Sequence, residues 1–168
     1  MDSIIIGFSR PKGWFEPFSW LIRLFLWTPY SHVYIRFHSD AYDSDLVFQA
    51  SSLQVNFYAW SVFQAKEDVI KEFVIPVTSE TKLSVIKFAM ANVGQPYNLT
   101  GALGVAIVWL AMRFGFRIAN PISGAGDFCS QIAGQILNEL MGQHINLPLD
   151  VITPKDIFRY LTNLFPSA

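Results

Sequence analysis

The sequence predicts an α+β domain in which a small antiparallel sheet packs against helices. Alternating and β-branched runs crowd the N-terminal half, helical periodicity takes over after it, and the lone cysteine stands where a glycine-rich loop turns into a helix. At 168 residues, 52% of them hydrophobic and 15% charged, the chain suits one domain spanning 1–168 with a single packed core. So low a charged fraction excludes a disordered chain. A net charge of −1 argues against a nucleic-acid binder, which usually shows a basic excess or stripe. The 15 Phe, 5 Trp and 6 Tyr leave two outcomes: near-complete burial, or a greasy face turned to a membrane, lipid or partner.

The elements follow in order. Residues 3–8 read as a short buried strand rich in Ile, and Arg10-Pro11-Lys12-Gly13 as a turn into an aromatic helix over about 15–27. Residues 31–37 alternate strictly: His32, Tyr34 and Arg36 share one face, Val33, Ile35 and Phe37 the other. Two more strands are expected at 46–50 and 53–57, and a further one at 72–77, where Pro76 marks an edge or an end. Ser79 and Glu80 open a helix with an apolar stripe of Leu83, Ile86, Met90 and Val93, stopped by Gly94. The uncharged stretch 100–113 reads as a second helix. A loop over 120–126 leads through Asp127, a helix cap, into a third helix beginning near Cys129. Thr153-Pro154-Lys155-Asp156 is a helix start, with Thr as N-cap, Pro in the first turn and an acid three residues on.

Two apolar stretches, 14–27 and 99–112, fall short of the roughly 20 residues a spanning helix needs or carry charge, so both are expected to be core or interfacial helices. Trp14, Phe18, Leu21 and Phe25 form the stripe to be buried, which leaves Trp20, Trp27 and Trp109 for an exposed apolar surface. That surface predicts membrane contact or a homo-oligomer. The N-terminus shows no secretory signal, so a cytoplasmic location is expected, with membrane or virion association open.

One cysteine excludes an internal disulfide framework, and three scattered His give no metal-ligand spacing, so neither a metal nor another cofactor is expected. A cysteine at a helix N-terminus meets unpaired N–H groups and a partial positive charge, both of which favour thiolate. The same N–H groups can hold the oxyanion formed when sulfur attacks a carbonyl. A base must lie within reach, and His32 on a rigid strand is well mounted for it. The bland alternatives are a buried, inert Cys129 and a His32 hydrogen-bonded at a sheet edge.

In sequence order, Pro29-Tyr30-Ser31-His32-Val33, Phe48-Gln49-Ala50, Gly94-Gln95-Pro96-Tyr97, Phe128-Cys129-Ser130-Gln131 and Thr153-Pro154-Lys155-Asp156-Ile157 resemble the circularly permuted NlpC-type branch of papain-fold cysteine peptidases. That branch includes the YiiX-like proteins and the lecithin:retinol acyltransferase-like enzymes. The motifs span nearly the whole chain. The resemblance implies a permuted papain-like fold, His32 as general base and Cys129 as nucleophile, with Gln49 as the third polar residue. YiiX-like members commonly carry Glu at that position. Gln can orient an imidazole by accepting from its Nδ1–H, but it cannot stabilise imidazolium with a full charge. His38 is a rival for the orienting role. Tyr30 and Tyr97 are candidates to line the cleft or donate to an oxyanion, against the usual core role of aromatics. Arg23, Arg36, Arg113 and Arg117 are candidates for an anionic substrate or headgroup, and His144 reads as solvated.

Three functions stay open at this point. One is an amidase or endopeptidase acting on bacterial cell-wall peptides, as many of the resembled proteins are. Another is a lipid acyl hydrolase or acyltransferase, which the greasy segments would suit. The third is a catalytically weak binding module of a phage particle or envelope complex.

Overall fold

Ile, Val and Phe at alternate positions need a sheet with a buried face, and the computed structural model shows one of five antiparallel strands. It describes residues 2–13, 17–50, 54–96, 104, 107–108, 110–116, 118 and 129–166. The strands are β1 (Asp2–Pro11), β2 (His32–Ser39), β3 (Ser44–Ala50), β4 (Val55–Ala59) and β5 (Glu67–Val77), in spatial order β4-β3-β2-β1-β5. Helix α1 (Pro17–Leu26) joins β1 to β2, and α2 (Trp60–Lys66) joins β4 to β5. Helices α3 (Ser79–Asn92), α4 (Cys129–Gln135, continued by a π-helical turn Ile136–Leu140) and α5 (Pro154–Leu164) follow the sheet. The α+β class and the antiparallel sheet therefore stand as expected. The predicted helix over 100–113 lies largely outside the described residues, and those described within it are helical.

The alternation read from the sequence splits the sheet into two faces. Ile4, Ile6, Phe8, Val33, Ile35, Phe37, Phe48, Phe73 and Ile75 turn to one side, where Ile132, Ile136 and Leu137 of α4 and its π turn meet Ile157 and Leu161 of α5. Tyr34 and Val47 turn to the other and form a smaller core with Phe63 of α2. The sequence showed no α2: seven residues without a cap or a repeat of the apolar period leave only the Trp60/Phe63 spacing as a signal. In the fold, Trp60 stacks on Phe63 with centroids 5.6 Å apart, and Phe63 tilts against Tyr34 at 4.5 Å. Gly7, paired with Tyr34 across β1 and β2, makes this possible. A Cβ there would stand 2.1 Å from the Tyr34 ring, so glycine is the residue that lets the tyrosine lie flat over β1.

Helix α3 departs from its expected face. Leu83 and Met90 are exposed, and the helix buries Val85 and Ala89 instead. Small and β-branched side chains let α3 approach the sheet closely, and that outweighs the larger residues on the neighbouring stripe. Helix α5 starts as expected. The Thr153 hydroxyl accepts from the Asp156 N–H at 3.2 Å, and the Asp156 carboxylate accepts from the Thr153 N–H at 3.0 Å.

Candidate active site

Everything that positions His32 sits at one end of the sheet. The Tyr30 ring stacks on Phe158 of α5, centroids 5.0 Å apart, and packs against Phe8 at 5.1 Å. The Ser31 N–H then donates to the Ser9 carbonyl at 3.1 Å, while the Ser31 and Ser19 hydroxyls meet at 2.5 Å inside the core. These contacts fix the chain as it enters β2, whose first residue is His32. Tyr30 is thus a buried aromatic whose phenol pKa is driven up by burial, and it holds the strand entry.

Gln49 lies near the end of β3, diagonal to His32 on the face that carries Tyr34. Its Oε1 stands 2.5 Å from His32 Nε2. An amide oxygen only accepts, so Nε2 bears the hydrogen and Nδ1 keeps a free lone pair. The sequence reading had Gln49 accepting from Nδ1–H; the fold presents the other nitrogen. His38 is engaged elsewhere: exposed at the far end of β2, its Nδ1 lies 3.1 Å from Asp45 Oδ1. Gln49 also forms part of the wall of a groove of about 430 Å³ between β3, α2 and the β1 turn, which Tyr58, Lys12 and Lys66 border.

Cys129 is the first residue of α4 and is 5% exposed. The helix is tied down by its next residue, whose Ser130 hydroxyl donates to the Ile152 carbonyl at 2.7 Å, just before α5. The Cys129 sulfur belongs to the main core, where the backbone amides of Val33, Ser130 and Cys129 itself pull its pKa down. The thiol thus lies on the core side of β2 near Val33, whereas the ring of His32, one residue earlier, is held by Gln49 on the face of Tyr34. The role of the Val33 amide had no signal in the sequence, because any residue supplies an N–H. The Gly94-Gln95-Pro96 turn comes to the same end of the sheet: the Val55 N–H donates to the Gln95 carbonyl at 2.9 Å, and Gln54 bridges to Pro96.

The electrostatics differ from the thiolate that a helix N-terminus favours. Burial pushes the Cys129 thiol up to about 11, outweighing the three amides that pull it down. Burial likewise depresses His32 to about 4, against the pull of Gln49 in the other direction. At rest both the thiol and the imidazole are neutral.

The depressed His32 makes stability depend on pH with a definite sign. Below the ordinary value near 6.5 the unfolded chain takes up a proton that the folded chain refuses, so stability falls as pH drops from about 6.5 to about 4. The loss is at most roughly 3 kcal/mol, since partial exposure of His32 reduces it. Urea titrations at a series of pH values are expected to show this slope in the wild type and to lose it in His32→Gln.

Tyr97, Asp127 and Arg117 lie outside the described residues. His144 follows the π turn and is exposed. Among the described residues no group of His, Cys, Asp and Glu could hold a metal ion, and no helix is long and apolar enough to cross a membrane. Compared with protein-family models and with curated protein sequences, the chain matches none.

Proposed function

We propose that this protein is a cysteine hydrolase with a permuted papain-like site, working through an acyl-enzyme on Cys129. What supports the reading is a buried Cys129 at the start of α4, near the Val33 amide, with the Gln49-bound imidazole of His32 one residue earlier on β2. As substrate enters, the Sγ proton passes to His32 Nδ1 and sulfur bonds to the carbonyl carbon. The N–H groups of Val33, Ser130 and Cys129 supply positive dipoles for the charge that develops. The imidazolium returns its proton to the departing amine or alkoxide, leaving a thioester that water hydrolyses. Because the pair is neutral at rest, the proton moves in concert with attack.

Amide bonds of bacterial cell-wall peptides are the substrate that the sequence resemblance implies. A lipid acyl ester is the second reading, favoured by the exposure of Trp20 (58%) and Trp27 (75%) on and just beyond α1. Incubation with cell-wall muropeptides and, separately, with phosphatidylcholine vesicles separates them. New amino groups without fatty acid mark an amidase, and released fatty acid marks the lipid enzyme. If neither product forms under conditions where the protein stays folded, the hydrolase reading is wrong and a binding module remains.

Gln49 supplies a sharper expectation. A Gln49→Glu change puts a full negative charge on His32 Nε2, which raises the imidazole pKa and strengthens it as a base. The acid limb of kcat/KM is expected near pH 4 in the wild type and at least one pH unit higher in the variant, with turnover at neutral pH raised about tenfold. An unmoved acid limb would remove Gln49 from the orienting role.

A further inference from the structure

The C-terminus of α1 holds a residue that its backbone does not favour. The Thr28 N–H donates to the Arg23 carbonyl at 3.2 Å, closing the helix in a Schellman turn, and Trp27 fills the left-handed position at φ 52°. Glycine or asparagine normally stands there, because a Cβ is strained at positive φ. A bulky aromatic in this position is usually repaid by packing, yet Trp27 is 75% exposed. The exposed ring is left open to something outside the chain.

Its surroundings say what that is. Trp20 and Leu24 are exposed on α1 before it, and the Arg113 guanidinium lies 5.9 Å from the Trp27 ring centroid, bringing the exposed Phe114 and Phe116 segment alongside. At the foot of Trp27 a cavity of about 450 Å³ opens between the β2 entry and α5. Lys71, Lys155 and Arg159 wall it, the Lys155 ammonium also donating to the Leu26 carbonyl at 2.7 Å, and no carboxylate does among the described residues. Indoles with an apolar skirt, above a mainly apolar cavity whose charged lining residues are all cationic among those described, match the layered chemistry of a bilayer surface with anionic headgroups. A two-fold contact between copies of the chain would bring like charges together.

We infer that the Trp27 end of α1 is a membrane-docking face, with Trp27 inserted at the headgroup level of an anionic bilayer and a lipid phosphate seated against Lys71, Lys155 and Arg159. This holds whether or not Cys129 is a nucleophile. Its bearing on the site is proximity along the chain, since Trp27 stands five residues before His32.

Flotation with vesicles of phosphatidylcholine, with and without phosphatidylglycerol, tests it on the full chain. The wild type is expected to float with the mixed vesicles, to lose binding as salt rises, and to show tryptophan emission quenched by brominated lipid. Trp27→Gly relieves the strained position, so its melting temperature should equal or exceed that of the wild type while vesicle affinity falls at least about tenfold. The Lys71→Glu, Arg159→Glu pair should lose preference for phosphatidylglycerol by a similar factor. Equal flotation of wild type and Trp27→Gly, or no flotation at all, overturns the inference. So does a concentration-dependent dimer that Trp27→Gly dissolves, which would make the face a contact between copies.

Discussion

Replacing Cys129 by Ala, or His32 by Ala, is expected to lower turnover at least about a thousandfold while leaving the fold in place. Cys129 is small and buried, so its truncation costs little packing. His32 stands at a strand end, and its side chain hydrogen-bonds to Gln49. The double variant should be no slower than either single one if the proposed nucleophile and base act as one unit. Additive losses would mean that the two side chains work separately. A parallel check uses iodoacetamide. With the thiol held near 11, alkylation of Cys129 is expected to be slow at neutral pH and to rise steadily with pH, without the neutral plateau of an activated thiolate.

Arg36→Met is expected to be the most damaging change away from the site. The Arg36 guanidinium grips Glu72 with two nitrogens, Nε to Oε1 at 3.0 Å and Nη2 to Oε2 at 2.7 Å, and also binds Asp45. Tyr34 donates to the same Glu72 at 2.8 Å, and Trp60 covers the guanidinium at 4.4 Å. Removing the cation leaves the part-buried carboxylates of Glu72 and Asp45 without their shared partner, at a cost of about 3 kcal/mol. The sign with pH is testable. Burial pushes the Asp45 carboxyl up, but His38 and Arg36 outweigh it and hold the carboxyl below its ordinary value. The stability this contributes is present above the ordinary carboxylate range and lost as pH falls through it. Urea denaturation should therefore show the largest gap between wild type and variant at neutral pH, closing toward pH 3. A constant gap would assign the loss to packing on Trp60 alone.

How far the sequence could be read follows from the range of the interactions. Period-2 alternation in β2 is local, so the faces of His32 and Val33 were legible before any contact was known. Thr153 and Asp156 lie within one turn of each other, and the helix start they mark was equally plain. Gln49 was reachable only through the resemblance, since a lone Gln in a strand carries no chemistry of its own. The network around Arg36 was out of reach: Glu72 lies 36 residues away, and nothing in either segment announces the pairing. The same holds for the protonation of the pair. A helix N-terminus favours thiolate locally, but the burial that defeats it at Cys129 is contributed by β2, α5 and the rest of the core, which only the assembled fold supplies.

The most direct test of the Cys129–His32 assignment is intact-protein and peptide mass spectrometry after brief exposure to a p-nitrophenyl acyl ester. The wild type is expected to gain the mass of one acyl group, mapped to Cys129 and lost on standing in water, while His32→Ala gains none in the same time. An adduct that forms equally in His32→Ala, that maps to another residue, or that never forms on the folded wild type would contradict the assignment.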